Sequence, residues 1–172
     1  MKRKIFLILY YGIARWLPAF YRPGGRLGKA MRVWCCRHIF AECGSEVNIE
    51  RGAYFGHGRN VRLGSRSGLG VNAHIKDNTI IGNDVMMGPN FVVQESRHSF
   101  ERTDIPMGQQ PELPPQQVII GNDIWIGADV MIIGNRHVAD GSILAARAVI
   151  TKDFPPYSII GGNPSRLIRS RI

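Results

Sequence analysis

Every sixth residue is aliphatic over two long stretches of the chain. Leu63, Leu69, Ile75, Ile81, Met87 and Val93 make the first series, and Ile120, Ile126, Ile132, Val138, Leu144 and Ile150 the second. Glycine often follows, as at Gly64, Gly70, Gly82, Gly88, Gly121 and Gly127. A period of six fits neither an α-helix nor an alternating strand. It marks a solenoid whose flat faces each take one short strand per turn. Apolar residues are 44% of the chain, so six hits in a fixed register arise by chance roughly 1% of the time per block.

The fourth residue after each aliphatic also points inward in such a coil. These are Ser67, Ala73, Thr79, Val85 and Phe91, then Ile124, Val130, Arg136, Ser142 and Ala148. Arg136 breaks that pattern and Ile133 replaces a glycine, so the stretch IIGNRHVADG is expected to bulge or to reshape one coil locally. Gly56-His57-Gly58 and Gly68-Leu69-Gly70 do not complete a dinucleotide-binding GxGxxG. Both are expected at corners, where positive φ favours glycine.

The two series are out of phase. The break holds residues 95 to 117, with Pro106, Pro111, Pro114 and Pro115, and is read as neither helix nor strand. A long excursion from a regular scaffold is usually functional. It carries His98 near three acids, Glu95, Glu101 and Asp104.

A chain of 172 residues suits one domain. Its net charge of +9 is concentrated at one end: Lys2, Arg3, Lys4, Arg15, Arg22, Arg26, Lys29, Arg32 and Arg37 all precede the first acid, Glu42. Such a segment seeks anions or is a solvated basic face. The start resembles a signal peptide but lacks a clear cleavage site, and its apolar run is too short to span a bilayer. It reads as an uncleaved amphipathic helix. Residues 1–38 either contact the inner membrane face or cap the open solenoid end. Cys35, Cys36 and Cys43 offer no zinc spacing and read as reduced residues of a cytoplasmic protein. The expected divisions are a basic helical segment at 1–46, the solenoid with its loop at 47–154, and a tail at 155–172.

The hexads, the loop with His98, the run GNDIWIGADV and the close TKD…GGNPSRLIR together resemble the hexapeptide-repeat acyltransferases. The nearest branches are the maltose and galactoside O-acetyltransferases and the capsule or exopolysaccharide O-acetyltransferases. The resemblance covers roughly residues 47 to 172. It implies a left-handed parallel β-helix, a homotrimer with active sites between subunits, acetyl-CoA as cosubstrate, a saccharide acceptor and no metal. His98 matches the family's catalytic base. Asn90 lies at a family-like acceptor position, and Asn72 and Asp77 align more loosely; all three could equally be polar corner residues. Trp125, Ala128, Ala146, Thr151 and Lys152 match positions along the pantetheine arm, and Arg166 and Arg169 a pair near the cofactor phosphates. Arg147 stands where relatives often have a small residue. Direct attack in a ternary complex is expected, since no serine or cysteine stands in a recognisable nucleophile setting. Other acceptors (serine, an amino sugar or a xenobiotic) suit the same core. A membrane-face scaffold without activity is the third alternative, and nucleic acid is disfavoured because the basic segment has no reading motif.

Overall fold

The computed structural model describes residues 2–95 and 98–172. Short strands visit three parallel faces in rotation. The first face orders Glu42–Cys43, Arg62–Leu63, Thr79–Ile81, Val118–Ile120 and Arg136–Val138 side by side. The second pairs Asn48–Ile49 with Gly68–Leu69, then runs through Met86–Met87, Trp125–Ile126, Ile143–Leu144 and Ser158–Gly161. Gly68 N–H donates to Val85 O at 3.1 Å and joins the two parts. The third stacks Val92–Gln94, Met131–Ile133 and Val149–Ile150, with Tyr54 and His74 bridged beneath. The ladder thus begins at Glu42, inside the segment expected to be helical.

The register explains the hexads. Equivalent corner residues lie 18 positions apart, as Ser65 and Asn83 do. Across the excursion the step becomes 39, from Asn83 to Asn122, and the stacking resumes in phase. The hexad aliphatics fill the core: eleven of the twelve are at most 3% exposed, and Met87 is half-buried. Ser67, Thr79 and Ser142 are buried too. Ser67 Oγ donates to Gly82 O at 2.6 Å and accepts from Val85 N–H at 3.0 Å, so a buried hydroxyl is satisfied.

The glycines after the aliphatics do a different job from the one expected of corner glycines. Only Gly56 and Gly58, near φ +60°, bear out that expectation; Gly68 lies in a strand, and Gly70 has no positive φ. A Cβ on Gly82 would stand 2.6 Å from Gly121 O, and one on Gly127 would stand 2.6 Å from Ala146 N. These glycines let successive turns approach. The left-handed corner conformation falls instead on Arg66, Asn72, Asp84, Asn90, Asp123, Asp129 and Arg147, φ 54° to 62°. Asn and Asp tolerate it best. Of the bulge or local reshaping expected at IIGNRHVADG, the ladder shows no bulge: Arg136 pairs with Val118 and Met131 with Val149 in normal register. Gly134, at φ +78°, turns the chain one residue after the expected glycine.

Helices α1 (Lys2–Gly12) and α2 (Gly25–Ile39) close the end beside Glu42. Phe6 stacks on His38 with ring centroids 4.0 Å apart, joining the helices. Tyr10, Cys36, Ile39 and Phe40 pack with Phe55 in the same core as the coil. Tyr10 OH donates to Ala53 O at 3.0 Å and Tyr11 OH to Gly56 O at 2.7 Å. Arg32, expected among the anion-seeking cations, is fully buried. Its guanidinium donates to Ile49 O at 2.6 Å, Leu17 O at 3.0 Å and Pro18 O at 3.2 Å, with Glu50 at 3.9 Å. It ties the helices, their linker and the first turn together.

Candidate active site

The excursion leaves the corner between the third and first faces. His98 is exposed near its root, and its backbone bridges antiparallel to Glu112 across the loop. The loop is pinned from within by buried Gln110. Its amide donates to Arg102 O at 2.7 Å and Ile105 O at 3.2 Å, while its oxygen accepts from Arg102 N–H at 3.3 Å. A single 3-10 turn, Met107–Gln109, interrupts the irregular chain. Of the acids considered as partners for His98, Asp104 is engaged by Arg102, whose Nε donates to Oδ1 at 2.9 Å. That ion pair holds the Asp104 carboxyl below its ordinary value.

A cleft of about 570 Å³ opens at this corner, lined by Tyr54, His57, Asn60, Lys76, Asp77 and Glu95, among others. Asp77 is fixed there, accepting from Arg59 N–H at 2.5 Å and Asn60 Nδ2 at 3.2 Å. Tyr54 and His74 meet edge to face at 4.6 Å just below. Burial, with the nearby charges of Lys76 and Arg15, pushes the His74 imidazole below its ordinary value. Sequence reasoning missed Tyr54, Asn60 and Lys76 as lining residues. The signal was available: Asn60 and Asn78 are 18 apart, one turn, and so share a corner.

Asn72 and Asn90 stand elsewhere, on the corner between the second and third faces. Asn72 Nδ2 donates to Asn90 Oδ1 at 3.2 Å, and Asn90 Nδ2 to Asp129 Oδ1 at 2.9 Å. Arg147 continues the ladder, its Nε 3.8 Å from Asp129. One chain therefore brings Asp77 to the corner of the His98 loop but leaves Asn72 and Asn90 on the far edge of the third face.

The residues matched to the cofactor start beside that ladder. Pro89, half-buried Ala128 and exposed Ala146 occupy equivalent positions of successive turns there, a column of small or compact side chains beside the Asn90–Asp129–Arg147 ladder. Next to them the second face carries an outward row aligned by register: Met86, Trp125, Ile143, Ile159, Arg169. Trp125 is 55% exposed, so its ring is a surface platform and not a buried corner filler. Arg166 and Arg169 lie on the antiparallel strand Arg166–Ser170 that edges this face. Thr151 and Lys152 sit at the corner after the third face. Thr151 N–H donates to Ser165 Oγ at 3.1 Å, and Lys152 Nζ lies 5.4 Å from the Phe154 ring centroid. A shallow, small-residue rail with an apolar platform ending in cations suits a long ligand with an apolar arm and a phosphorylated end. Among the described residues, no three His, Cys, Asp or Glu converge on a metal position.

Comparison with known proteins adds the following. No family profile matches the chain. The galactoside O-acetyltransferase of Escherichia coli (strain K12) is 30% identical over 135 residues, 77% of this chain and 65% of the relative. The chain thus spans less than two thirds of that relative's length. Among solved structures, a maltose O-acetyltransferase from Clostridium difficile 630 is 25% identical, with TM-score 0.74 over 98% of this chain and 85% of that one. A galactoside acetyltransferase in complex with coenzyme A is 25% identical, with TM-score 0.75 over 98% and 80%.

Proposed function

We propose, from its likeness to the galactoside and maltose O-acetyltransferases, that the chain is a hexapeptide-repeat acyltransferase: an acetyl-CoA-dependent O-acetyltransferase acting on a saccharide hydroxyl, in a cytoplasmic step of capsule or exopolysaccharide synthesis. The reading includes a left-handed winding of the coil and a homotrimer whose sites lie between neighbours. One observation carries it: the excursion that breaks the 18-residue period carries His98, and residues at its two ends, Glu95 and Pro115, line a polar cleft. That Asn90 and the Ala128–Ala146 rail lie on the opposite edge of the third face supports sites completed by an adjacent subunit.

In this mechanism the imidazole of His98 removes the proton from an acceptor hydroxyl held in the cleft. Imidazole suits the task because it takes up and returns a proton near neutrality. The hydroxyl oxygen attacks the thioester carbonyl carbon, and the C–S bond breaks as the tetrahedral intermediate collapses. The coenzyme A thiolate leaves and takes the proton back from His98. Polar groups at the corner, Asp77 among them, orient the sugar, and positioning is a large part of the rate. Bound acetyl-CoA supplies the activated acetyl group. Along the rail, Ala128 and Ala146 leave room for its pantetheine arm, Trp125 packs against the arm, and Arg166 and Arg169 pair with phosphate oxygens; Thr151 and Lys152, at the other corner of the third face, flank the arm from a neighbouring subunit.

The test is thioester cleavage with a panel of acceptors: mono- and oligosaccharides, serine, amino sugars and chloramphenicol. Coenzyme A should raise the melting temperature, and saccharides should give the fastest turnover. Stabilisation by coenzyme A with serine or chloramphenicol as the preferred acceptor would overturn the acceptor class and keep the chemistry. Neither stabilisation nor turnover would overturn the reading as a whole.

A further inference from the structure

The α1–α2 cap buries one side and leaves the other with no covering. On α1, Ile5 and Ile8 stand opposite buried Tyr10 and are 58% and 74% exposed. On α2, Leu27 and Trp34 stand opposite buried Arg32 and Cys36 and are 73% and 50% exposed. Four large apolar side chains on the outer sides of two packed helices are more than a scatter of surface hydrophobics. Around them lie Lys2, Lys4, Arg22, Arg26 and Arg37, all exposed, and no acid occurs before Glu42. The remaining cations of this segment are differently placed: Arg32 is buried, Arg3 donates to His57 O at 2.6 Å, and Arg15 donates to Gly52 O at 3.1 Å. Lys29 is half-buried against the Phe20 ring.

We propose that this outer face docks on an anionic lipid bilayer, with the apolar side chains entering the interface and the flanking cations meeting lipid headgroups. Charge complementarity selects this occupant. A second copy would set the same cations against each other, whereas a bilayer carrying phosphatidylglycerol matches both the apolar strip and the basic rim. No helix among the described residues is long and apolar enough to cross a membrane, so contact is in the plane of the surface. The face adjoins the reaction corner. Arg3, Lys4 and Leu7 of α1 border a groove shared with His57 and Asp77, which also line the acceptor cleft. A saccharide carried on a lipid would therefore meet the cleft at the membrane edge; this last step rests on the reading of that cleft as the acceptor site.

The experiment is co-sedimentation of the full chain with phosphatidylcholine vesicles, plain or containing about a third phosphatidylglycerol. The expected result is binding to the anionic vesicles alone, weakened by salt. Each cation near such a surface contributes roughly fivefold, so Lys2→Glu with Arg26→Glu should weaken binding at least tenfold. Ile8→Asp with Leu27→Asp should do the same without lowering the melting temperature, because both positions are exposed. Acetyl transfer to a soluble acceptor should be unchanged in both variants, which separates failure of docking from failure of the catalytic reading. No binding of the parent chain, or equal binding of both variants, would overturn the proposal. So would a shift to smaller species of Ile8→Asp/Leu27→Asp in sedimentation velocity without any vesicle binding, since that would assign the face to self-association.

Discussion

Gly82 and Gly56 show how one residue type serves two purposes in this coil. Gly82 has ordinary φ but faces Gly121 O across the gap between turns, while Gly56 has open space around it and φ +60°. Gly82→Val should therefore cost about 3 kcal/mol through overpacking against backbone, and Gly56→Ala only about 1 kcal/mol of left-handed strain. Urea unfolding of the two variants checks the order. The aliphatic period was legible because burial repeats locally every six residues. The glycine role was not, because it depends on which turn lies above, a contact 39 residues distant for Gly82 and Gly121. Arg32 was equally opaque. Nothing in an arginine among eight other cations says that it will be buried, and its partners are carbonyls that carry no side-chain signal. Arg32→Met should destabilise by about 3–5 kcal/mol, since it leaves several buried carbonyls without a donor and Glu50 without its counter-charge.

At the scale of elements, the cap and the third face each have a chemical signature. Burial pushes the Cys36 thiol well above its ordinary value, and it raises Cys35 and Cys43 as well, though Arg37 partly offsets the rise at Cys43. A thiol reagent at mildly alkaline pH should leave Cys35 and Cys36 unlabelled in the folded chain and reach half-buried Cys43 slowly; all three should react at once in denaturant. Early labelling of Cys36 would mean that the cap opens. On the third face, His74 is held below its ordinary value, so the folded state binds its proton less readily than the unfolded chain does. Its stabilising contribution is complete above about pH 6.5 and declines as pH falls below that. Melting temperature against pH should fall less steeply on the acid side for His74→Phe than for the parent. The sequence placed α1 on either a membrane or the solenoid end. The helices do cap the end, with one side, and the free side is what a sequence without packing partners could not apportion.

For the whole molecule, the interruption of the period matters more than the period. The loop that carries His98 was legible because an out-of-phase insertion stands out against a strict repeat, whereas Asp77 was named only from a loose match to the resembled family. Asn72 and Asn90 were matched to acceptor positions of the resembled family or read as polar corner residues, but their pairing along a different corner emerges only when 18-residue turns are stacked. The matched acceptor and cofactor residues then fall on two edges of one face, which is why the proposed site needs a neighbour. The account turns on His98, and the most direct measurement is the turnover number of His98→Ala with acetyl-CoA and the preferred saccharide. The predicted result is a loss of about 10²–10⁴ in kcat with stabilisation by coenzyme A unchanged, since the cofactor rail is untouched. Full activity in His98→Ala would contradict the account.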